Sequence, residues 1–335
     1  MTARIIQSSQ KHSSSIWRTV EPLPSSVSAD TVISIGEKRR PDLFRGFGGA
    51  FTESAAYVWS QLSKDRQQQI MTAYFDAKHG IGYTFGRTHM NSCDFSLDNY
   101  AAVDIPGDKK LWSFSCEREK QYLWPFIHAA YKAAGTDLPL LLSPWSPPAW
   151  MKSNQSMNNG GALLPEYRSA WAAYFARYIT ELRDNGFQVF GVTVQNEPEA
   201  TQTWDSCRYS ASDEALFIRE YLGPLLDSQG MQDVGIYFWD HNRDEMFNRA
   251  ADVLTDPETA QYITGQAIHW YSGDQFDLVR ETKRNLPRQG DHFLGRLHRR
   301  RCQAGSMGSW RDLCSQHHRR SECRCNIMAR LEHDP

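Results

Sequence analysis

Between residues 44 and 271 six short apolar segments alternate with stretches of helical periodicity, and that order restricts the fold to a parallel sheet with crossover helices. The apolar segments are "FRGFGGAF" (44–51), "YTFGRTHM" (83–90), "LPLLLSPW" (138–145), "FQVFGVTVQNE" (187–197), "VGIYFWDHN" (234–242) and "ITGQAIHWY" (263–271). Between them lie helical stretches such as 63–80, with Ser63 as N-cap and Gly80 as stop, and 165–186, opened by Pro165 and closed by Gly186. In the second, Trp171, Tyr174, Phe175, Tyr178, Ile179 and Leu182 share one face, which predicts burial. Six βα units in about 240 residues extrapolate to eight in about 330, the proportions of a (β/α)8 barrel rather than a doubly wound sheet. About six units are present in recognisable form. The first forty residues, with "TVISIGE", predict strands of a small β side domain outside the barrel.

Several function classes drop out at this level. No Gly-x-Gly-x-x-Gly follows the first strand, and "RGFGGAFTES" lacks the Lys-Ser/Thr of a phosphate loop, so nucleotide binding is disfavoured. No run of eighteen apolar residues offers a membrane span. The polar start "MTARIIQSSQKHSSSIW" lacks the apolar core of a secretory signal, and the reading is a cytoplasmic chain. Before residue 286 only Cys93, Cys116 and Cys207 occur, and buried thiols are expected rather than disulfides. Oligomeric state leaves no signature in the sequence.

A barrel of this kind carries its site at the C-terminal ends of the strands, and the residues found there are polar and aromatic together. They are Glu53 after the first strand; Arg87, Asn91 and Asp94 after the second; Trp145 and Trp150 after the third; Asn196 and Glu197 after the fourth. Trp239 and Asp240 follow the fifth, and His269, Trp270 and Tyr271 the sixth. Indole faces beside carboxylates and amides suit a sugar, whose C–H faces stack on rings while its hydroxyls need paired donors and acceptors. Glycosidic cleavage needs one carboxylic acid to protonate the leaving oxygen and a second carboxylate to attack or to activate water. Glu197 fits the acid. Asn196, next to it on the same strand, would face the other way unless the strand end is bulged. Taken alone, Asn-Glu-Pro at 196–198 also fits a strand-ending turn. Arg87 alone also fits a buried ion pair, and His269 a core histidine.

The ordered words "FRGFGGAFTESAA", "GIGYTFGRTHMNSCDFS", "LLLSPWSPPAWMKSN", "VTVQNEPEA", "DSQGMQDVGIYFWDHNRD" and "AIHWYSG" resemble the family 30 glycoside hydrolases, which include glucosylceramidases and β-1,6-glucanases. The likeness runs from about residue 40 to 285. It implies a (β/α)8 barrel carrying a small β-sandwich, retaining cleavage of a β-glycoside, no cofactor and no metal, with Glu197 as acid and then base. It also implies that Asp94, Trp145 and Asn196 bind the sugar, that Arg87 holds the carboxylate cluster, and that His269 and Tyr271 line the pocket. Trp239 joins them as a candidate for substrate binding. Glu53 and Glu199 are read as structural, of the solvated rim kind.

The sequence therefore divides into 1–40, a barrel domain at 41–285, and a tail at 286–335 whose composition changes abruptly. The tail holds ten arginines, no lysine, five acids, five histidines and four of the seven cysteines, a net +5 against −7 for the rest. Cys302, Cys314, Cys323 and Cys325 lack the paired C-x-x-C spacing of a zinc module. Interleaved aromatics and a fold signature for nucleic-acid binding are missing as well. The family resemblance calls for a Glu-Gly-Cys word on a seventh strand, and the tail has none. Yet Phe293 to His298 can be encoded as TTT CTC GGA AGG CTG CAT, whose frame one base later reads Phe-Ser-Glu-Gly-Cys. With suitable codons the same shift can turn 285–293 into Thr-Tyr-Pro-Asp-Lys-Ala-Ile-Ile-Phe, a lead into a seventh strand, "CSQHHRRSEC" into a helical pattern, and "LEHDP" into Trp-Asn-Met-Thr. The tail thus reads as a frameshift product, and the protein as a lineage member lacking its nucleophile, with a non-catalytic sugar-binding protein or an inert product as alternatives.

Overall fold

The computed structural model describes residues 3–9, 12–20 and 46–285. Residues 1–40 form one compact unit and 41–335 another. In the first, β1 (Ala3–Ser9) pairs antiparallel with β2 (His12–Val20), Ala3 opposite Val20, with an irregularity between Gln7 and Ser9. "TVISIGE" lies outside the described residues, as does the tail from 286.

In the second unit the six expected strands are β3 (Gly48–Phe51), β4 (Phe85–Met90), β5 (Leu140–Pro144), β6 (Val189–Thr193), β7 (Gly235–Asn242) and β8 (Ile263–His269). All are parallel, and their order in the sheet is their order in the chain. Helices follow each strand, giving six successive βα units of the barrel. Among the described residues no helix is long and apolar enough to cross a membrane.

Two apolar regions hold this unit together. The larger lies between the sheet and its helices. The helix Arg168–Asp184 contributes Trp171, Tyr174, Phe175, Tyr178, Ile179 and Leu182, all buried as their spacing predicts. Phe51 stacks on Phe75 at 5.6 Å and meets Phe126 edge-on at 5.7 Å. Gly86 leaves room for that ring: a Cβ there would stand 2.3 Å from Phe51 Cε2. The smaller region comprises Leu141, Tyr237 and Ala267 with Phe190 against them. Here Gly191 admits the Tyr237 ring, since a Cβ would lie 2.6 Å from its Cε2.

Helix ends depart from expectation in one place. Ser63 caps Lys64–Phe75 as expected, but the helix stops before Gly80. Asp76 takes the backbone N–H groups of Lys78 (2.8 Å) and His79 (2.7 Å), and this local bonding competes with the next helical turn. Cys93, Cys116 and Cys207 are buried free thiols. Burial pushes Cys93 and Cys207 up to about 12.

Candidate active site

Side chains from the ends of β5, β6 and β7 converge on Arg87 of β4. Its Nε donates to Ser143 Oγ at 3.0 Å, and its Nη2 donates to Asn196 Oδ1 at 2.9 Å and Asp240 Oδ2 at 2.7 Å. The guanidinium carbon sits 4.5 Å from the centroid of Trp145, so cation and indole stack. Because Asn196 turns its oxygen to Arg87, its amide nitrogen remains to donate elsewhere.

Asn196 and Glu197 come to one site because the chain leaves the regular pleat. The β6 ladder ends at Thr193, four residues before Glu197. Beyond it, Val194 N–H donates to Tyr237 O (3.0 Å), Asn196 N–H to Pro144 O (2.8 Å) and Glu197 N–H to Asp240 O (2.9 Å). The segment thus bonds to both neighbouring strands. Glu197 itself has φ +48°, a left-handed conformation that costs a residue with a Cβ about 1 kcal/mol or more. That departure supplies the break that two adjacent inward side chains require.

Strand β7 carries a bulge between Trp239 and His241, with φ +74° at Trp239 and +46° at Asp240. It turns Asp240 inward. Trp239, expected among the substrate-binding residues, lies buried instead: its indole is 1% exposed, donates to Asn242 O at 2.8 Å and packs under the Arg249 guanidinium at 5.2 Å. Of the two residues at the bulge, Asp240 is the one whose side chain reaches Arg87 and His269.

His269, at the end of β8, links the two carboxylates. Its Nδ1 lies 3.1 Å from Glu197 Oε1 and its Nε2 lies 2.9 Å from Asp240 Oδ1. Burial favours the neutral ring, but the bonds to Asp240 and Glu197 outweigh it and raise the pKa of His269 above the ordinary histidine value. Two carboxylates facing two ring nitrogens call for a cation donating from both. Asp240 is fully buried, and burial alone would raise its carboxyl. Arg87, His269 and the hydroxyl of Thr193 (2.7 Å) more than offset this and hold it well below the usual carboxylate range. For Glu197 burial likewise raises, while the His269 bond and charge lower, and the net is a pKa below the ordinary glutamate value.

Asp94 lies on the loop after β4, open to solvent at the mouth. Desolvation by the cleft walls, helped by the Glu197 charge and opposed by Arg87, lifts its carboxyl to about 6. Its loop is anchored by Asn91, noted in the sequence, and by His89, which sequence reasoning passed over. His89 must accept the Glu53 N–H at Nε2 (3.1 Å), so its Nδ1–H donates to Asn91 O (2.6 Å). Asn91, at φ +64°, receives Ala102 N–H at 3.1 Å and donates to Ser146 O at 3.2 Å, tying this loop to the one after β5. Tyr271 is exposed, its ring 5.8 Å from His269 and its N–H donating to Asn242 Oδ1 at 3.0 Å. Trp145 is largely buried under Arg87. Ser143, Thr193, His89 and Asn242 were missed because each acts through a partner distant in sequence. Only alternation along β5 and β6 hinted that Ser143 and Thr193 point inward.

Glu53 is structural but buried rather than at a solvated rim. Arg118 Nε meets its Oε1 at 2.7 Å, and Leu97 N–H its Oε2 at 2.8 Å. Glu199 is half exposed and pairs with Arg249 at 3.3 Å. Among the described residues no group of three or more His, Cys, Asp or Glu side chains is arranged to hold a metal ion.

The C-terminal ends of this parallel sheet thus gather an arginine, an amide, the Trp145 indole and a carboxylate pair bridged by His269. The glycosyl hydrolase family 30 TIM-barrel domain matches residues 44–294, and the chain belongs to that family. It is 32% identical over 249 residues to the lysosomal acid glucosylceramidase of Mus musculus, covering 72% of this chain and 48% of that protein. The crystal structure of SrfJ from Salmonella typhimurium superposes with a TM-score of 0.73 at 36% identity, over 84% of this chain and 63% of that one. The endo-β1,6-glucanase BT3312 gives 0.65 at 26%, over 72% and 54%. The chain spans about half the length of the curated relatives it matches.

Proposed function

We propose that this site is the acid/base half of a retaining β-glycosidase acting on β-glucosidic bonds, of glucosylceramide or β-glucan type. The observation that carries the reading is Glu197: a carboxylate held in a left-handed turn beside Asn196 and bonded to His269. Arg87 fixes the orientation of Asn196, whose free amide N–H can donate to the sugar hydroxyl next to the reacting carbon. Asp94 at the mouth can accept from further hydroxyls, and the Tyr271 ring borders the same space.

In the resting state Glu197 is a carboxylate, the form that activates water. To protonate a leaving oxygen it must first hold a proton, and a second ionised carboxylate nearby favours that by repulsion. When that second group becomes esterified by the sugar, the repulsion vanishes and Glu197 returns to its basic form. His269 with Asp240 behind it sets the low end of this cycle.

The second carboxylate belongs outside the described residues. The tail as written offers no Glu-Gly-Cys word, so we infer that this literal chain does not turn over, while its frame-restored counterpart does. The test compares both proteins, confirmed by intact mass, on an aryl β-glucoside. Hydrolysis by the frame-restored protein alone is expected. Robust turnover by the literal chain overturns the inactive reading, and a frame-restored protein that binds glucosides but never cleaves them favours a sugar-binding role.

A further inference from the structure

The tryptophans that remain exposed do not scatter over the barrel unit. Trp112, Trp204 and Trp270 sit on the stretches that follow β4, β6 and β8, at the strand ends that carry Arg87, Glu197 and His269. Within residues 46–285, Trp59, Trp124, Trp150, Trp171 and Trp239 lie in or against the core, and Trp145 is buried under Arg87.

Trp112 is the extreme case, 82% exposed on a loop that is itself well ordered by hydrogen bonds. Asp108 accepts from Ser113 N–H at 2.8 Å and from its hydroxyl at 2.7 Å. Leu111, at φ +57°, packs on the core, and Ser115 N–H donates to Ala102 O at 2.8 Å. Lys110 Nζ stands 5.0 Å from the centroid of Trp112. Trp204 is displayed in a similar way. Ser206 Oγ accepts the N–H groups of Gly160 (2.9 Å) and Gln202 (3.1 Å), holding the turn that presents the indole. Both indoles are thus presented to solvent on hydrogen-bonded loops that follow β4 and β6, the strands whose ends carry Arg87 and Glu197.

We propose that Trp112 and Trp204 form sugar-stacking platforms outside the catalytic pocket, engaging further residues of an extended β-linked gluco-oligosaccharide. The proposal deepens the glycosidase reading and rests on it. Loop 104–113 carries two aspartates and two lysines, so it has no net charge to draw it to an anionic lipid surface. Its polar side chains around a flat indole match a sugar, whose C–H face covers the ring while its hydroxyls pair at the edge.

The test is calorimetric titration of the full chain, in a Glu197→Gln background, with β-1,6-linked gluco-oligosaccharides of two to six units. Binding is expected to tighten about ten-fold from the shortest to the longest. Trp112→Ala should abolish most of that gain and leave disaccharide binding unchanged, with Trp112→Phe retaining part of it. Circular dichroism confirms that each variant folds. Affinity independent of length, a gain that survives Trp112→Ala together with Trp204→Ala, or no oligosaccharide binding overturns the proposal. So does Trp112-dependent sedimentation with phosphatidylcholine–phosphatidylserine vesicles in place of sugar binding. If the platforms bind the longest chain while Asp94→Ala and Asn196→Ala leave the disaccharide unaffected, the pocket assignment fails and the platforms stand.

Discussion

His269 stands between Glu197 and Asp240, and its charge decides which proton form Glu197 adopts at rest. The signs give a pH window. The pKa of His269 is raised in the folded protein, so its contribution is complete below the unfolded value of about 6.5 and fades as pH rises through the folded one. The pKa values of Asp240 and Glu197 are lowered, so their contribution is complete above the unfolded carboxylate values of about 4 and fades as pH falls through the folded ones. Thermal unfolding followed across pH should show a plateau between these limits, and His269→Gln should flatten its alkaline shoulder. An unchanged profile in that variant would contradict the bridge. Arg87→Ala is a harsher change, because it leaves Asp240 buried beside a single remaining cation. A loss of about 3–5 kcal/mol in urea unfolding is expected.

At the scale of elements, the period of apolar residues located every strand of the sheet to within a few positions, and the aromatic face of Arg168–Asp184 was fully legible. Both depend on spacing, which a sequence displays directly. What spacing could not display is the bulge at Trp239 and Asp240, created by how β7 pairs with β8. A regular pleat would have put the indole and the carboxylate on opposite faces without saying which faced inward. His89 was equally invisible, since its partners are the backbone of Glu53 and Asn91 rather than a neighbouring motif. The motif at 193–199 was legible as a word, whereas its left-handed turn was not. The tight contact of Gly191 with Tyr237 gives an element-level test. Gly191→Ala should force that ring to shift and cost about 1–3 kcal/mol by denaturant unfolding. A neutral effect would mean that the inner face of the sheet is loosely packed.

For the whole molecule, six parallel strands in sequential order bring Arg87, Asn196, Glu197, Asp240 and His269 to one end of the sheet, and the proposed glycosidase chemistry calls for a second carboxylate besides Glu197. Among the described residues β3 and β8 each pair on one side only. Unpaired strand edges are templates for association, and the literal chain is expected to show larger scattering mass with rising concentration than its frame-restored counterpart. Equal, monodisperse behaviour of the two would count against the frameshift reading. The central claim is the role of Glu197, and azide rescue tests it most directly. In the frame-restored protein, Glu197→Ala should lower hydrolysis of an unactivated aryl β-glucoside by about 10²–10⁴-fold. With 2,4-dinitrophenyl β-glucoside, whose leaving group needs no proton, added azide should restore turnover and yield β-glucosyl azide. Full activity in Glu197→Ala, or rescue that yields the α-azide, would contradict the assignment.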